Sequence, residues 1–284
     1  MSASEKAHAA AGLFACVLLV GCASPAPEIP AEKKSAFIPI KVMRPDGQGP
    51  FPAVVILHDC SGLGPRSSGA PGRWANELLR QGYVLLIPDS FSTRGHADGV
   101  CTNPSPSRNE VSPNRRVRDA QDALAYARAL PYVDGAHVGV MGGSHGGATT
   151  LATMADPLSG FTAAIALYPS CRVRYGDWRP GTAGVYKSVA PLLILSGELD
   201  DWTPAQPCRQ LAERSKQAGY PVAIKVYPGA HHAFDSDRPI RYVEARINMN
   251  APGGRGATTG GNPEAWADSI REVTAFFARH LRER

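Results

Sequence analysis

Six short apolar runs, rich in Val, Ile, Leu and Ala, alternate along the chain with segments of helical periodicity. Short apolar runs bounded by turn residues are typical of strands that are buried on both faces of a sheet. Alternation of such strands with helices predicts an α/β fold, a mostly parallel sheet with helices on both faces, in a single domain. The runs are AVVILH (53–58), YVLLIP (83–88), HVGVM (137–141), AAIALY (163–168), PLLILS (191–196) and VAIKVY (222–227).

Two helices are indicated by their apolar spacing. Ser112 and Pro113 are typical of an N-cap and a first helical position, and Pro131 ends the three-to-four-residue pattern that follows them. Near the C-terminus, one apolar stripe predicts a helix that packs on the sheet. Its members are Trp266, Ile270, Val273, Phe277 and Leu281.

The N-terminal segment has the composition of a signal peptide. Lys6 precedes the apolar run AAAGLFACVLLVGC, which is too short to span a bilayer and ends in small residues. Its last four residues, LVGC, resemble a bacterial lipobox, which implies cleavage before Cys22 and lipidation of that thiol. We therefore predict a signal peptide (1–21), a lipidated Cys22 with a flexible tether (22–36) and one domain (37–284). An ordinary signal peptide is the alternative.

Lipidation would place the protein in the bacterial cell envelope, held to a membrane by its anchor and facing the periplasm or the exterior. Ala23 follows the cysteine, which favours an outer membrane where the host has two. The net charge of +5 comes from dispersed arginines without a basic block, so no nucleic-acid partner is expected. In an oxidising compartment the four remaining cysteines can form two disulfides, and three pairings are open. These cysteines are Cys60, Cys101, Cys171 and Cys208.

The stretch VGVMGGSHGGATTL contains a G-x-S-x-G pattern centred on Ser144, between a predicted strand and a helical segment. A sharp strand-to-helix turn needs glycines on either side of its tip, and it exposes the serine hydroxyl there. Ser144 is therefore a candidate nucleophile, with a structural Gly-Ser turn as the alternative. His145 directly beside it is one candidate for the base that a serine nucleophile needs.

Two other strand ends carry the remaining parts of a catalytic triad. GELDDWTP follows the fifth apolar run and offers Asp200 and Asp201, and PGAHHAFD follows the sixth and offers His231 and His232. Because ligands bind at the carboxyl ends of parallel strands, these residues are expected to approach Ser144. The order Ser, Asp, His is that of α/β-hydrolase triads. Spacing alone does not separate the members of either pair.

VMGGSHGG, SGELDDWTP and YPGAHHAFD together resemble the dienelactone hydrolase family of α/β-hydrolases, from about residue 37 to the C-terminus. PDSF and TGGNPEAWADS add to the resemblance. The resemblance implies the α/β-hydrolase fold, and it selects Asp200 and His232 from the two pairs. It also implies a hydrolase that cleaves a small carboxylic ester or lactone through an acyl-enzyme on Ser144, without a metal or an organic cofactor.

One departure from the family concerns the nucleophile, because founding members carry cysteine where this chain has Ser144. A hydroxyl depends on its base for activation in a way that a thiolate does not, so a dienelactone substrate does not carry over. Serine-bearing relatives are general esterase-like hydrolases. The resemblance further implies that the N–H groups of His145 and of Cys60, in HDCSGLG, receive the oxyanion.

The resemblance also bears on substrate contacts and disulfides. Arg94 and Arg238 lie in regions where relatives with acidic substrates carry arginines, although neither falls at the family offset, and solvent exposure is the alternative. The strand order of the α/β-hydrolase sheet implies the pairs Cys60–Cys101 and Cys171–Cys208, with free thiols as the alternative.

Other functions are compatible with some of these residues. A peptidase or acyltransferase could use the same triad, and a non-catalytic lipoprotein could bind ligands with the same fold. The histidines show no metal-ligand spacing, so no metal site is expected. The glycine-rich stretch NMNAPGGRGATTGG (248–261) is predicted to be a flexible loop, and it could lie over the site.

Overall fold

The computed structural model describes residues 38–282. A seven-stranded sheet forms its centre, in the order β1-β3-β2-β4-β5-β6-β7, and all neighbours are parallel except β1, which is antiparallel to β3 at one edge. A separate antiparallel pair, β8 and β9, forms a hairpin. The strands are β1 (Ile40–Met43), β2 (Phe51–Leu57), β3 (Val84–Pro88), β4 (Val133–Gly143), β5 (Ala163–Leu167), β6 (Leu192–Gly197), β7 (Val222–Tyr227), β8 (Arg241–Ile247) and β9 (Arg255–Thr259).

Within residues 38–282, five α-helices cover the sheet on both faces. Alternate residues of β2 show the division: Ala53, Val55 and Leu57 belong to one hydrophobic core, and Val54 and Ile56 belong to the other. The first core includes side chains of α2, α3 and α4, and the second includes side chains of α1 and α5. The helices are α1 (Ala70–Arg80), α2 (Pro113–Ala129), α3 (His145–Met154), α4 (Ala205–Gln217) and α5 (Pro263–Leu281).

The predicted α/β-hydrolase architecture is confirmed, and all six apolar runs correspond to strands, β2 to β7. β3, β5 and β6 are buried throughout because both faces of the sheet carry helices, whereas β7 at the edge is only partly buried. The edge strand β1 was not predicted, because its four residues include Lys41 and none is fully buried, so its apolar signal is weaker than that of the central strands.

The glycine-rich stretch 248–261 was predicted to be a loop, and this prediction is wrong for its second half, which forms strand β9. The strand has the sequence RGATT, which lacks the run of apolar residues that predicts a core strand. Gly256 adopts φ 90° in the irregular part of the ladder, where a left-handed conformation favours glycine.

The order in which strands are added to the sheet reverses between β2 and β4. From β2 the chain continues to β3 on one side, and from β4 it continues to β5 on the opposite side. Leu57 at the end of β2 is opposite Gly142 at the end of β4. This switch point is the usual place for a ligand in an open parallel sheet, and Ser144 follows it directly.

The predicted signal peptide (1–21) and the tether with Cys22 (22–36) lie outside the residues that the structure describes. Among residues 38–282, no helix combines the length and the apolar character that crossing a bilayer requires.

Candidate active site

Ser144 occupies the turn between β4 and α3, in the strained conformation φ 54°, ψ −114°. Its N–H donates to the carbonyl of Leu167, 2.9 Å away, which ties the turn to β5. A Cβ atom on Gly146 would stand 2.0 Å from the carbonyl oxygen of Leu57, so only glycine lets the helix pass this close to β2. The structure therefore has the sharp strand-to-helix turn that the G-x-S-x-G pattern indicates.

His232 faces the hydroxyl of Ser144 from a loop 88 positions downstream. Its Nε2 atom is 2.9 Å from Ser144 Oγ, and its Nδ1 atom is 2.8 Å from Oδ2 of Asp200. His232 and Asp200 are both buried. Ser144, predicted from the G-x-S-x-G pattern, and the Asp200 and His232 that the resemblance selected are thus brought together in one hydrogen-bonded series.

Backbone and hydroxyl donors surround the Asp200 carboxylate. Its Oδ1 accepts hydrogen bonds from the N–H groups of Trp202, at 2.9 Å, and Thr203, at 2.7 Å, and the Thr203 hydroxyl is 2.9 Å from Oδ2. Because buried polar atoms are costly without partners, these donors stabilise the position of the Asp200 side chain beside His232.

The neighbouring members of the two pairs have other partners. Asp201 accepts hydrogen bonds from the N–H and the hydroxyl of Thr258, both at 2.8 Å, and so holds β9. The Nδ1 atom of His231 is 3.0 Å from the carbonyl of Leu199 at the exposed surface. Neither residue contacts Ser144.

The side chain of His145 lies away from the Ser144 hydroxyl. The Arg116 guanidinium donates to its Nδ1 at 2.7 Å, and the ring packs edge-on against Phe91. Burial, with the nearby charges of Arg116 and Arg108, holds the pKa of His145 well below its usual range. As the first residue of α3, His145 has a backbone N–H without a helical acceptor.

The peptide that carries the Cys60 N–H is held by a histidine. The Nδ1 atom of His58 is 2.8 Å from the carbonyl oxygen of Asp59, and its Nε2 accepts a hydrogen bond from the Ser90 N–H at 3.2 Å. Nε2 is thus the acceptor and Nδ1 carries the proton. Burial, with the charge of Arg116, lowers the pKa of His58 well below its usual value, which keeps this arrangement neutral.

The side chains of Asp59 and His58 both stabilise the loop after β2 through hydrogen bonds. The Asp59 carboxylate accepts hydrogen bonds from the N–H of Ser61 at 2.7 Å, from the Ser61 hydroxyl and from the Ser68 hydroxyl. Since a trans peptide directs its carbonyl and its N–H to opposite sides, the Cys60 N–H points away from His58. Cys60 borders the same cavities as Ser144.

Both predicted disulfides are confirmed. Cys60 is bonded to Cys101, and Cys171 is bonded to Cys208. The first bridge joins the loop after β2 to the loop after β3, and the N–H of Val100 also donates to the Cys60 carbonyl at 2.7 Å. The peptide groups before and after Cys60 are thus both fixed by hydrogen bonds, the first to His58 and the second to Val100.

The two arginines proposed from the resemblance differ in position. Arg94 lines neither of the cavities that Ser144 borders, and its guanidinium forms two 2.6 Å hydrogen bonds to the carboxylate of buried Asp119 on α2. Arg238 does line a cavity of about 70 Å³ beside Ser144 and His232. We call this cavity the arginine cavity, because its wall includes Arg66, Arg238, Arg241 and Arg246.

The sequence did not identify Arg246 or Trp202 as site residues. The guanidinium of Arg246 lies 4.8 Å from the centre of the Trp202 ring, which itself packs 4.7 Å from the His232 ring. The buried Nε atom of Arg246 has no hydrogen-bond partner within residues 38–282. Arg246 belongs to β8, whose mostly exposed residues show no strand pattern in the sequence, so its position beside the site could not be inferred.

Tyr168 was also missed, although it ends a predicted strand. Its ring packs 4.8 Å from that of His232, and its hydroxyl donates to buried Asp235 at 2.8 Å. Trp74 donates to the other oxygen of Asp235, also at 2.8 Å. Burial raises the pKa of Tyr168 well above its usual value, so the phenol stays protonated and fixes one side of the His232 ring.

One group of potential metal ligands converges within residues 38–282, namely Asp59, Cys60 and Cys101. Two of its three ligand atoms are the bonded sulfurs of a disulfide, which leaves a single carboxylate to coordinate an ion. This group does not fit a metal site.

Residues 38–281 match the model of the dienelactone hydrolase family. Among curated proteins, the chain is 27% identical over 226 residues to the "Putative carboxymethylenebutenolidase" of Methylorubrum extorquens, an alignment that covers 76% of this chain and 75% of that protein.

Solved structures show the same fold. A "Putative Dienelactone Hydrolase" from Klebsiella pneumoniae subsp. pneumoniae superposes with a TM-score of 0.65 at 22% identity, over 85% of this chain and 93% of that one. Apo esterase 2 of Thermogutta terrifontis superposes with a TM-score of 0.58 at 19% identity, over 86% and 91% of the two chains.

Proposed function

The chain belongs to the dienelactone hydrolase family and is a hydrolase of carboxylic esters or lactones, and on this premise we propose that Ser144 is its nucleophile, His232 its base and Asp200 its orienting acid. The observation that carries this assignment is the hydrogen-bonded series from Ser144 Oγ through His232 to Asp200. A histidine held on one side by a carboxylate presents its free nitrogen to the serine hydroxyl.

In the first half of the reaction, Ser144 Oγ attacks the ester carbonyl while His232 Nε2 takes the hydroxyl proton. The negative charge that develops on the carbonyl oxygen is stabilised by the N–H groups of Cys60 and His145. His232 then gives its proton to the departing alcohol oxygen, which leaves an acyl group on Ser144.

In the second half, His232 takes a proton from water as the water attacks the acyl carbon, and it gives this proton to Ser144 Oγ as the acyl–Oγ bond breaks and the carboxylic acid leaves. Asp200 stabilises the imidazolium in both halves and keeps the proton of neutral His232 on Nδ1. His145 takes no part as a base, because its ring is bound to Arg116 and its pKa is depressed by burial.

Turnover of short nitrophenyl esters, together with labelling by a fluorophosphonate, tests this assignment. Wild type should hydrolyse the esters and carry one adduct on Ser144, and Ser144→Ala should lose both. Undiminished turnover by purified Ser144→Ala would refute the nucleophile. Absence of both turnover and adduct in wild type would favour a non-catalytic binding protein.

We also propose that the mature protein is a lipoprotein of the bacterial cell envelope, anchored through Cys22 and followed by a tether to about residue 36. The two disulfides support an oxidising compartment outside the cytoplasm, where such bonds persist. Expression in bacteria followed by membrane fractionation tests the anchor. Cys22→Ala should move the protein to the soluble fraction, whereas Cys16→Ala should remain with the membranes. Equal partitioning of the two variants would refute the lipid anchor.

A further inference from the structure

Two cavities of different chemistry meet at Ser144. The arginine cavity includes His232 in its wall. A second cavity of about 270 Å³, which we call the apolar cavity, includes His145 but does not include His232. The side chains that border both cavities, besides Ser144, are Cys60, Cys101 and Trp202.

Apolar side chains from separate segments form much of the wall of the apolar cavity. Val100 is buried there, whereas Val173 and Met249 are 43% and 86% exposed and leave apolar surface on this wall. Arg108 is the one charged residue on this wall, and it is half-buried. The remaining apolar members are Pro113, Ala148 and Ile247.

The position of His232 decides which part of an ester enters which cavity. The alcohol oxygen must receive its proton from His232 Nε2, so the alcohol leaves on the side of the arginine cavity. The acyl group then extends to the other side of Ser144, past His145 and into the apolar cavity. An apolar chain in the arginine cavity would instead remove water from guanidinium groups, which is costly.

We propose that the apolar cavity binds the acyl group of a linear ester of an apolar carboxylic acid. This inference rests on the proposed function of Ser144 and His232. A small lactone holds its acyl carbon and its leaving oxygen in one ring and cannot extend into both cavities. A linear ester with an aliphatic acyl chain uses both, since its two halves separate at the carbonyl carbon that Ser144 attacks.

A series of esters with one common alcohol and acyl groups from acetate to hexanoate tests the inference. Each methylene that enters the cavity should raise kcat/KM about fourfold, because its burial is worth about 0.8 kcal/mol. Ser144-dependent turnover that does not increase from acetate to hexanoate would overturn the inference and leave the proposed function intact. Absence of any Ser144-dependent turnover would refute the proposed function itself.

A charged acyl group distinguishes an apolar site from an anion site built on Arg108. The monoester of adipic acid has the same six carbons as hexanoate but ends in a carboxylate. The hexanoate ester should be the better substrate by about tenfold or more, given the cost of placing a charge beside apolar walls. Faster turnover of the adipate monoester would overturn the inference.

Substitution of Val173 tests whether the effect of acyl-chain length on kcat/KM arises in the apolar cavity. Val173→Asp should lower the ratio of kcat/KM for hexanoate over acetate at least tenfold, and Val173→Ile should keep it. Val189 is a matched control, because it is 45% exposed and borders neither cavity. Val189→Asp should show the wild-type ratio, and an unchanged ratio in Val173→Asp would contradict the assignment.

Discussion

The Nδ1 atom of His58 lies 2.8 Å from the carbonyl oxygen of Asp59, so a buried side chain fixes the peptide whose N–H belongs to Cys60. Without this bond the peptide could rotate and turn that N–H away from the substrate. His58 therefore acts as a positioning residue for one of the two oxyanion donors, and it acts through the backbone without touching the substrate.

Removal of the His58 side chain should impair catalysis more than substrate binding. His58→Leu should lower kcat about a hundredfold, the typical cost of one oxyanion donor, with little change in KM. His58→Asn should retain most of the activity, because its amide N–H can replace Nδ1–H. Steady-state kinetics and the affinity for a boronic acid, which mimics the tetrahedral intermediate, measure the effect. Equal losses in both variants, each folded by circular dichroism, would contradict the positioning role.

Substitution of Asp200 should affect catalysis, whereas substitution of the adjacent Asp201 should affect the stability of the β8–β9 hairpin. Asp200→Asn should lower kcat on the order of ten thousandfold, since the amide favours the wrong tautomer of His232. Asp201→Asn should leave kcat within about tenfold of wild type and lower the free energy of unfolding by about 1 kcal/mol, because it weakens the bonds to Thr258. Ester kinetics and urea unfolding test both. A larger kcat loss in Asp201→Asn would reverse the assignment.

Much of this site could be predicted because its parts follow buried strands. Apolar runs located β4, β6 and β7, and the chemistry-bearing residues come directly after them, as the parallel sheet requires. The choice of Asp200 over Asp201 depended on family resemblance, because both carboxylates follow the same strand. The structure separates them by their partners, His232 for one and Thr258 for the other.

The hairpin could not be predicted for a physical reason. Its strand β8 is mostly exposed, and β9 contains glycine and threonine in place of a run of apolar residues, so neither has the pattern of a core strand. Arg246 and Ile247 reach the cavities because this hairpin is hydrogen-bonded to Cys101 in the loop after β3 and to Trp202 in the loop after β6. Such long-range contacts leave no local periodicity in the sequence.

The two disulfides should contribute similarly to stability and differently to activity. They close loops of 41 and 37 residues, so the loss of either should lower the free energy of unfolding by about 4 kcal/mol in the chain-entropy account. Only the Cys60–Cys101 bridge borders Ser144. The double variant Cys60→Ser, Cys101→Ser should therefore lose at least tenfold in kcat at a temperature where it remains folded, and Cys171→Ser, Cys208→Ser should keep its kcat. Equal kcat in the two double variants would show that the bridge does not support the oxyanion donor.

The free energy of unfolding should fall as the pH is lowered from 7.5 to about 5.5. His58 and His145 have pKa values depressed by burial and by the charge of Arg116, so the folded protein keeps both neutral at pH values where the unfolded chain protonates them. Stability from these groups is complete above about pH 7 and is lost as the pH falls toward the depressed pKa values. Each histidine should contribute a loss on the order of 1 kcal/mol over this interval.

Variants without the two histidines isolate this effect. His58→Asn and His145→Asn each remove one titrating group while keeping the contact that its Nδ1 atom makes, with Asp59 or with Arg116. Each single variant should lose about half of the pH dependence that the pair produces, and the double variant should lose all of it, as measured by urea unfolding at both pH values. A wild-type pH dependence in the double variant would mean that the loss of stability in acid comes from other groups.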